Sequence, residues 1–228
     1  MEEHKPFTWL GELPYPEHVL TAGLVALLIV GFAVLVRPKL AAPGAATTPD
    51  PRASARSFAE VFVEFISGLA EGVIGHHSER YVPLLASFFI FILVANLIGL
   101  VPGFTPPTAD FNITLALGTV AFVAYHVAGT REHGLKYLQH FLGPVMFLAP
   151  LMLVVELFSH MFRPVSLGIR LFANMFADHQ VVEIFTGLTK IGVPVIFYVL
   201  GAFVAVVQAF VFTMLSAIYI ALAVAHDH

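Results

Sequence analysis

The amino-acid sequence predicts an all-α polytopic membrane protein, with five membrane-embedded helices, the last two long and strongly tilted, and one amphipathic interfacial helix. Three observations predict it. Hydrophobic residues fill 58% of the 228 positions and charged residues 11%, for a mean hydropathy of +0.88. Apolar runs recur that are long enough to cross a hydrocarbon core of about 30 Å. Loops carrying Lys and Arg alternate with a loop carrying neither, as the positive-inside rule requires of a chain threading a membrane. No polar stretch is long enough for a separate soluble domain, so residues 1–228 read as a single membrane domain. The absence of cysteine excludes disulfides and thiolate metal sites, and the net charge of -4 says little about partners.

The first membrane helix is placed at residues 19–36, an uncharged run closed by Arg37, Pro38 and Lys39. The acidic N-terminus, MEEHKPFTW, lacks the basic start of a signal peptide, so this segment is expected to be retained as an anchor. Residues 37–56 form a linker rich in Pro, Ala and Thr, whose Arg52 and Arg56 add to the positive charge and place it on the cytoplasmic side. Residues 57–75 gather Phe58, Val61, Phe62, Phe65 and Leu69 on one helical face and leave Glu60, Glu64 and Glu71 elsewhere, the pattern of a helix lying on the membrane surface. Residues 83–101 and 111–128 read as a transmembrane hairpin whose connecting loop has no Lys or Arg, whereas the next connection carries Arg131 and Lys136. That alternation predicts an outside N-terminus and a cytoplasmic C-terminus. Residues 144–188 and 191–225 are helical runs of 45 and 35 residues. The shorter of these is about 52 Å long if straight, so it must tilt by roughly 55° to stay within the core, or protrude. Pro150 and Pro164 are expected to shape the curve of the longer one.

That longer run contains PVSLGIRLFANMFADH, which sets Arg170 at membrane depth. An arginine at the centre of a membrane helix costs roughly 3 kcal/mol on insertion scales, so it stays where it is paired or functional. At about 100° per residue, Glu156, His160, Arg163, Leu167, Arg170, Asn174 and Asp178 fall within about 40° of one line. Such a stripe must face protein or water. His179 and Glu183 lie on the opposite side at i, i+4 spacing. Glu156 and Asp178 are about 21 Å and 12 Å from Arg170 along the axis, too far to neutralise it, so its counter-charge is expected from another chain.

PVSLGIRLFANMFADH, followed by VQAFVFTMLSAIY and preceded by VANLIGLVPG and TADFNITLAL, resembles the a subunit of F-type ATP synthases over nearly the whole chain after the linker. The resemblance implies a proton-conducting stator in a bacterial inner membrane, set between two offset half-channels against a rotor ring. Its partners would be the ring subunit c, the peripheral stalk subunit b, the rest of the synthase and membrane lipid, with no cofactor and no nucleic acid. The essential arginine maps to Arg170, which would bind a ring carboxylate and keep protons from passing directly between the half-channels. Glu156 and Ser159 resemble the cytoplasmic half-channel. Asn174, His179 and Gln208 resemble the outer one, with Asn96 and Asp110 near its mouth. The sequence departs from the pattern at Gly201, where a titratable partner for the position of His179 is usual. Asp178 and Glu183 are the candidate substitutes, with Asp178 preferred.

Plainer roles stand beside these. Asn96 suits an interhelical hydrogen bond, Asp110 an N-cap, and Ser159, Ser166 and Thr213 bonds back to their own helices. His76 with His77, and the terminal His226 and His228, lack the converging geometry of a metal site. An ion-coupled secondary transporter is the alternative reading, but it calls for an internal repeat that the sequence does not contain. A purely structural subunit would leave Arg170 without a purpose.

Overall fold

The computed structural model describes residues 8–10, 14–40, 54–75, 77–134, 149–189 and 192–225. They form six helices and no strand: α1 (Glu17–Leu40), α2 (Ala55–Ile74), α3 (Val82–Ile98), α4 (Phe111–His133), α5 (Ala149–Leu188) and α6 (Gly192–Val224). Helices α1, α4, α5 and α6 are long and apolar enough to cross a membrane, and α3 is a shorter apolar helix. The middle of the predicted linker, His76, the connection with Lys136, residues 144–148, the α5–α6 junction and the terminal histidine residues lie outside the described residues.

Helix α1 runs past its expected end and through Pro38. A proline removes one backbone bond and crowds the preceding turn, but it does not forbid the short continuation seen here. Leu27, Leu28, Val34 and Leu35 remain exposed while Thr21, Val25 and Val36 are buried, so α1 is a peripheral helix that presents most of its surface outward. Its N-terminal end is tied to the α3–α4 loop. Glu17 accepts hydrogen bonds from Thr8 at 2.9 Å and Thr105 at 3.3 Å, and the Trp9 backbone N–H donates to the Gly103 carbonyl at 3.1 Å. Gly103 has φ +89°, a backbone conformation suited to glycine.

Helix α2 begins at Ser54, whose side-chain oxygen accepts from the Ser57 N–H, and ends at Gly75 with φ +77°. Its apolar arc is divided. Ile66 and Ala70 are buried, and Phe62, Leu69 and Val73 pack beside them, whereas Phe58, Val61 and Phe65 stay exposed. The helix therefore docks on α3 and α6 by one edge and offers the other outward.

Helix α3 packs chiefly on α6, and α4 on α5 and α6, so the arms of the predicted hairpin diverge. The core joins Leu85, Phe88 and Ile92 of α3, Tyr125 of α4, Leu171 of α5 and Phe212 and Ile220 of α6. Helix α4 outlasts its apolar run by five residues, because Arg131 and His133 in the last turn complement the helix dipole before Gly134 stops it at φ +56°. Where α4 crosses α5, Gly118 lies against the Pro164 carbonyl, and Gly168 faces the Thr114 carbonyl. This small-residue contact lets the two backbones approach closely, a packing mode typical of membrane helices. Pro164 does not end α5, which continues unbroken to Leu188.

Candidate functional site

Helix α5 divides lengthwise. From position 167 onward, Leu167, Gly168, Leu171, Met175 and Val182 are buried against the rest of the fold, while Leu151, Val155, Phe162, Ile169, Phe176 and Ile184 form an exposed apolar strip within about 80° of arc, widened in the N-terminal half by the exposed Leu153, Leu157 and Met161. The predicted polar stripe runs along one boundary between these faces. Arg170 sits on it, exposed, and pairs with no carboxylate among the described residues.

On the N-terminal side of Arg170, residues of α4, α5 and α6 converge. The Tyr125 hydroxyl is 2.9 Å from His160 Nδ1, and His160 Nε2 is 3.5 Å from Glu156 Oε2. The His126 ring stacks on His160 with centroids 5.3 Å apart. The Arg163 guanidinium lies over the rings of Tyr219 at 5.2 Å and Tyr125 at 5.8 Å, in cation–π contact. Ser159 is exposed, and the Ser166 hydroxyl donates to the Arg163 carbonyl as the plainer reading anticipated.

On the C-terminal side, Asn174 Nδ2 donates to Gln208 Oε1 at 3.0 Å, joining α5 to the buried Gln208 of α6. Asp178 lies against Gly201: a Cβ built there would stand 2.6 Å from Asp178 Oδ2. The carboxylate thus fills the space a side chain at 201 would take. His179 and Glu183 instead line a recess of about 270 Å³ with Thr186, Tyr198 and the α3–α4 loop. Asp178 and Glu183 are therefore directed to different surroundings, although both neighbour His179 in sequence.

Two predicted residues take structural bonds. Asn96, 3% exposed, accepts from Thr108 Oγ1 at 2.6 Å and donates to the Ala205 carbonyl at 3.4 Å, linking α3 to α6. Asp110 caps α4 by accepting from the Asn112 N–H at 2.8 Å, and its other oxygen is 3.3 Å from His18 Nδ1. Thr213 bonds back to Ala209.

Sequence reasoning missed Tyr125, His126, Tyr219 and His18 as neighbours of the polar groups. A histidine and a tyrosine adjacent in the uncharged run of α4 were a usable signal, since polar groups at membrane depth face protein or water. Nothing in the sequence pairs His18 with Asp110.

Comparison with known proteins bears on this arrangement. The family model described as ATP synthase A chain matches residues 19–221. ATP synthase subunit a of Bdellovibrio bacteriovorus is 49% identical over 212 residues, covering 92% of this chain and 93% of the relative. The subunit a of Solibacter usitatus is 44% identical over 90% of this chain and 85% of its own length, and that of Geotalea uraniireducens 43% over 90% of each. With helices long enough to span a membrane and a match extending from α1 into α6, the chain belongs to the ATP synthase A chain family.

Proposed function

We propose that this membrane-sector subunit is the proton-conducting stator of a rotary F-type ATP synthase in a bacterial inner membrane. Its N-terminus lies outside and its C-terminus in the cytoplasm, and it makes and breaks no bonds of ATP. Protons enter and leave through two half-channels that do not meet, one around Glu156, the other around Asn174, Asp178, His179 and Gln208. The rotor ring of c subunits lies against the exposed side of α5, and subunit b holds the stator fixed.

The observation that carries this reading is Arg170: exposed, without an ion pair among the described residues, and bordered by apolar side chains that also face outward. A guanidinium in that setting is stabilised by a carboxylate brought by another chain, and it favours that carboxylate's ionised form. The two polar groups lie on either side of it along α5, with His160 about 15 Å away and Asp178 about 12 Å away. A proton can therefore reach the ring from either side, while the fixed cation opposes its direct passage. Helices α5 and α6 are continuous across this region, whereas a secondary transporter places its site at broken helices.

ATP-driven proton pumping in membrane vesicles tests the reading. Arg170→Ala abolishes pumping, and so does Arg170→Lys, because an ammonium lacks the planar fork and very high pKa of the guanidinium. Wild-type pumping by either variant refutes the separation of half-channels by Arg170. Recovery of a ring subunit from mild detergent identifies the partner.

A further inference from the structure

We infer that His160 is a proton carrier on the inner path, exchanging its proton with Glu156 through Nε2 while Tyr125 holds the imidazole in place through Nδ1. The inference rests on the reading of Glu156 as an inner half-channel group and extends it by one step toward Arg170.

The geometry assigns the two ring nitrogens different tasks. Nδ1 lies 2.9 Å from the hydroxyl of Tyr125, a residue 1% exposed and locked in the core. When Nδ1–H donates to that oxygen, Nε2 is left as the site that gains and loses a proton, and it faces Glu156 Oε2 at 3.5 Å. A small rotation or one water closes that distance. His160 is one turn nearer Arg170 than Glu156, so it lies on the route between the ring and the carboxylate.

The proton balance is simple. A protonated water on the ring side gives its proton to Nε2, leaving water and an imidazolium. The imidazolium then passes the Nε2 proton to the Glu156 carboxylate, restoring the neutral ring and forming a carboxylic acid that releases its proton toward the cytoplasm. Synthesis and hydrolysis run the steps in opposite directions. Nδ1–H is untouched throughout, so the ring need not flip between transfers. Tyr125 and His126 of α4, Glu156 and Arg163 of α5, and Tyr219 of α6 surround this centre. Tyr125 is a positioning residue, as is His126, whose ring stacks on that of His160.

Passive proton flux through vesicles carrying the whole complex, stripped of the soluble ATPase, tests the inference between about pH 5 and 8. His160→Gln keeps a hydrogen-bonding group of similar size but does not titrate. It is expected to lower flux by about tenfold or more and to flatten the pH profile. Tyr125→Phe keeps the imidazole but removes the hydroxyl that orients it, and is expected to shift the midpoint of the profile. Normal flux and an unchanged profile in His160→Gln, with Glu156→Gln defective, overturn the role of His160 and leave the half-channel standing. Normal flux in both variants removes the half-channel reading as well. Should His160→Gln fail to assemble, Tyr125→Phe decides: a shifted midpoint supports the relay and an unchanged one overturns it.

Discussion

Replacing Gly201 by alanine brings a methyl group 2.6 Å from Asp178 Oδ2 and 3.0 Å from Leu100 Cδ2. Non-bonded heavy atoms settle at about 3.5 to 4.0 Å, so the carboxylate oxygen has to retreat by about 1 Å and the leucine methyl by somewhat less. The displaced oxygen is the far end of a side chain with two rotatable bonds, and an off-rotamer angle costs about 0.5–1.5 kcal/mol. With the shift of Leu100 added, the expected loss is about 1–2 kcal/mol, within the usual range for overpacking. The complex should therefore assemble, with a slightly lower thermal midpoint, while passive flux from the outer side falls because Asp178 has left its position. Combining Gly201→Ala with Asp178→Ala removes the clashing oxygen, so the stability losses should couple by about 1 kcal/mol instead of adding. A glutamate at 201, the acidic partner that the family resemblance sets opposite a histidine at 179, should be accepted only when Asp178 is shortened in this way. Strict additivity in the cycle, together with unchanged flux in Gly201→Ala, refutes the proposal that Asp178 occupies the place of the absent side chain.

Three further outcomes are expected. Glu156→Gln should slow passive flux while leaving the amount of assembled subunit unchanged, since the amide is nearly isosteric but does not exchange a proton near neutral pH; undiminished flux makes Glu156 a packing residue. Asp178→Asn should impair flux from the outer side more than Glu183→Gln does, and the reverse order moves the relay to the recess lined by His179 and Glu183. Gly118→Ala should cost more than Gly201→Ala, about 3 kcal/mol, because its methyl meets the backbone carbonyl of Pro164, which no side-chain rotation can move. Comparing the thermal midpoints of the two variants in assembled complexes checks that order.

The helices were legible because hydrophobic runs of span length are separated by Gly, Pro and charge, and those signals are local. Their ends were less so: α4 continues through Arg131 because its dipole welcomes basic residues there, a preference that hydropathy alone does not register. The stripe containing Glu156, Arg170 and Asn174 was readable from helical angle, and the structure sets it along an edge of α5. Its contacts were not readable, because they come from other helices. Tyr125 meets His160 across 35 positions of sequence and Asn174 meets Gln208 across 34. Likewise, whether Asn96 serves a proton path or a structural contact depends on Thr108, which the fold of the α3–α4 loop brings within reach, and on Ala205, which the packing of α3 on α6 brings there.

The exposed strip formed by Leu151, Val155, Phe162, Ile169, Phe176 and Ile184 has a mechanical consequence. Dispersion and hydrophobic contacts have little directionality, so a partner surface displaced along such a strip finds nearly the same energy at each position. A row of hydrogen bonds would instead fix a register, with a barrier of about 1 kcal/mol for every bond broken at each step. Against the rotor ring proposed above, the strip would behave as a low-friction bearing, and Arg170 beside it would act as the detent, concentrating resistance to sliding at one point where a charge can be engaged and released.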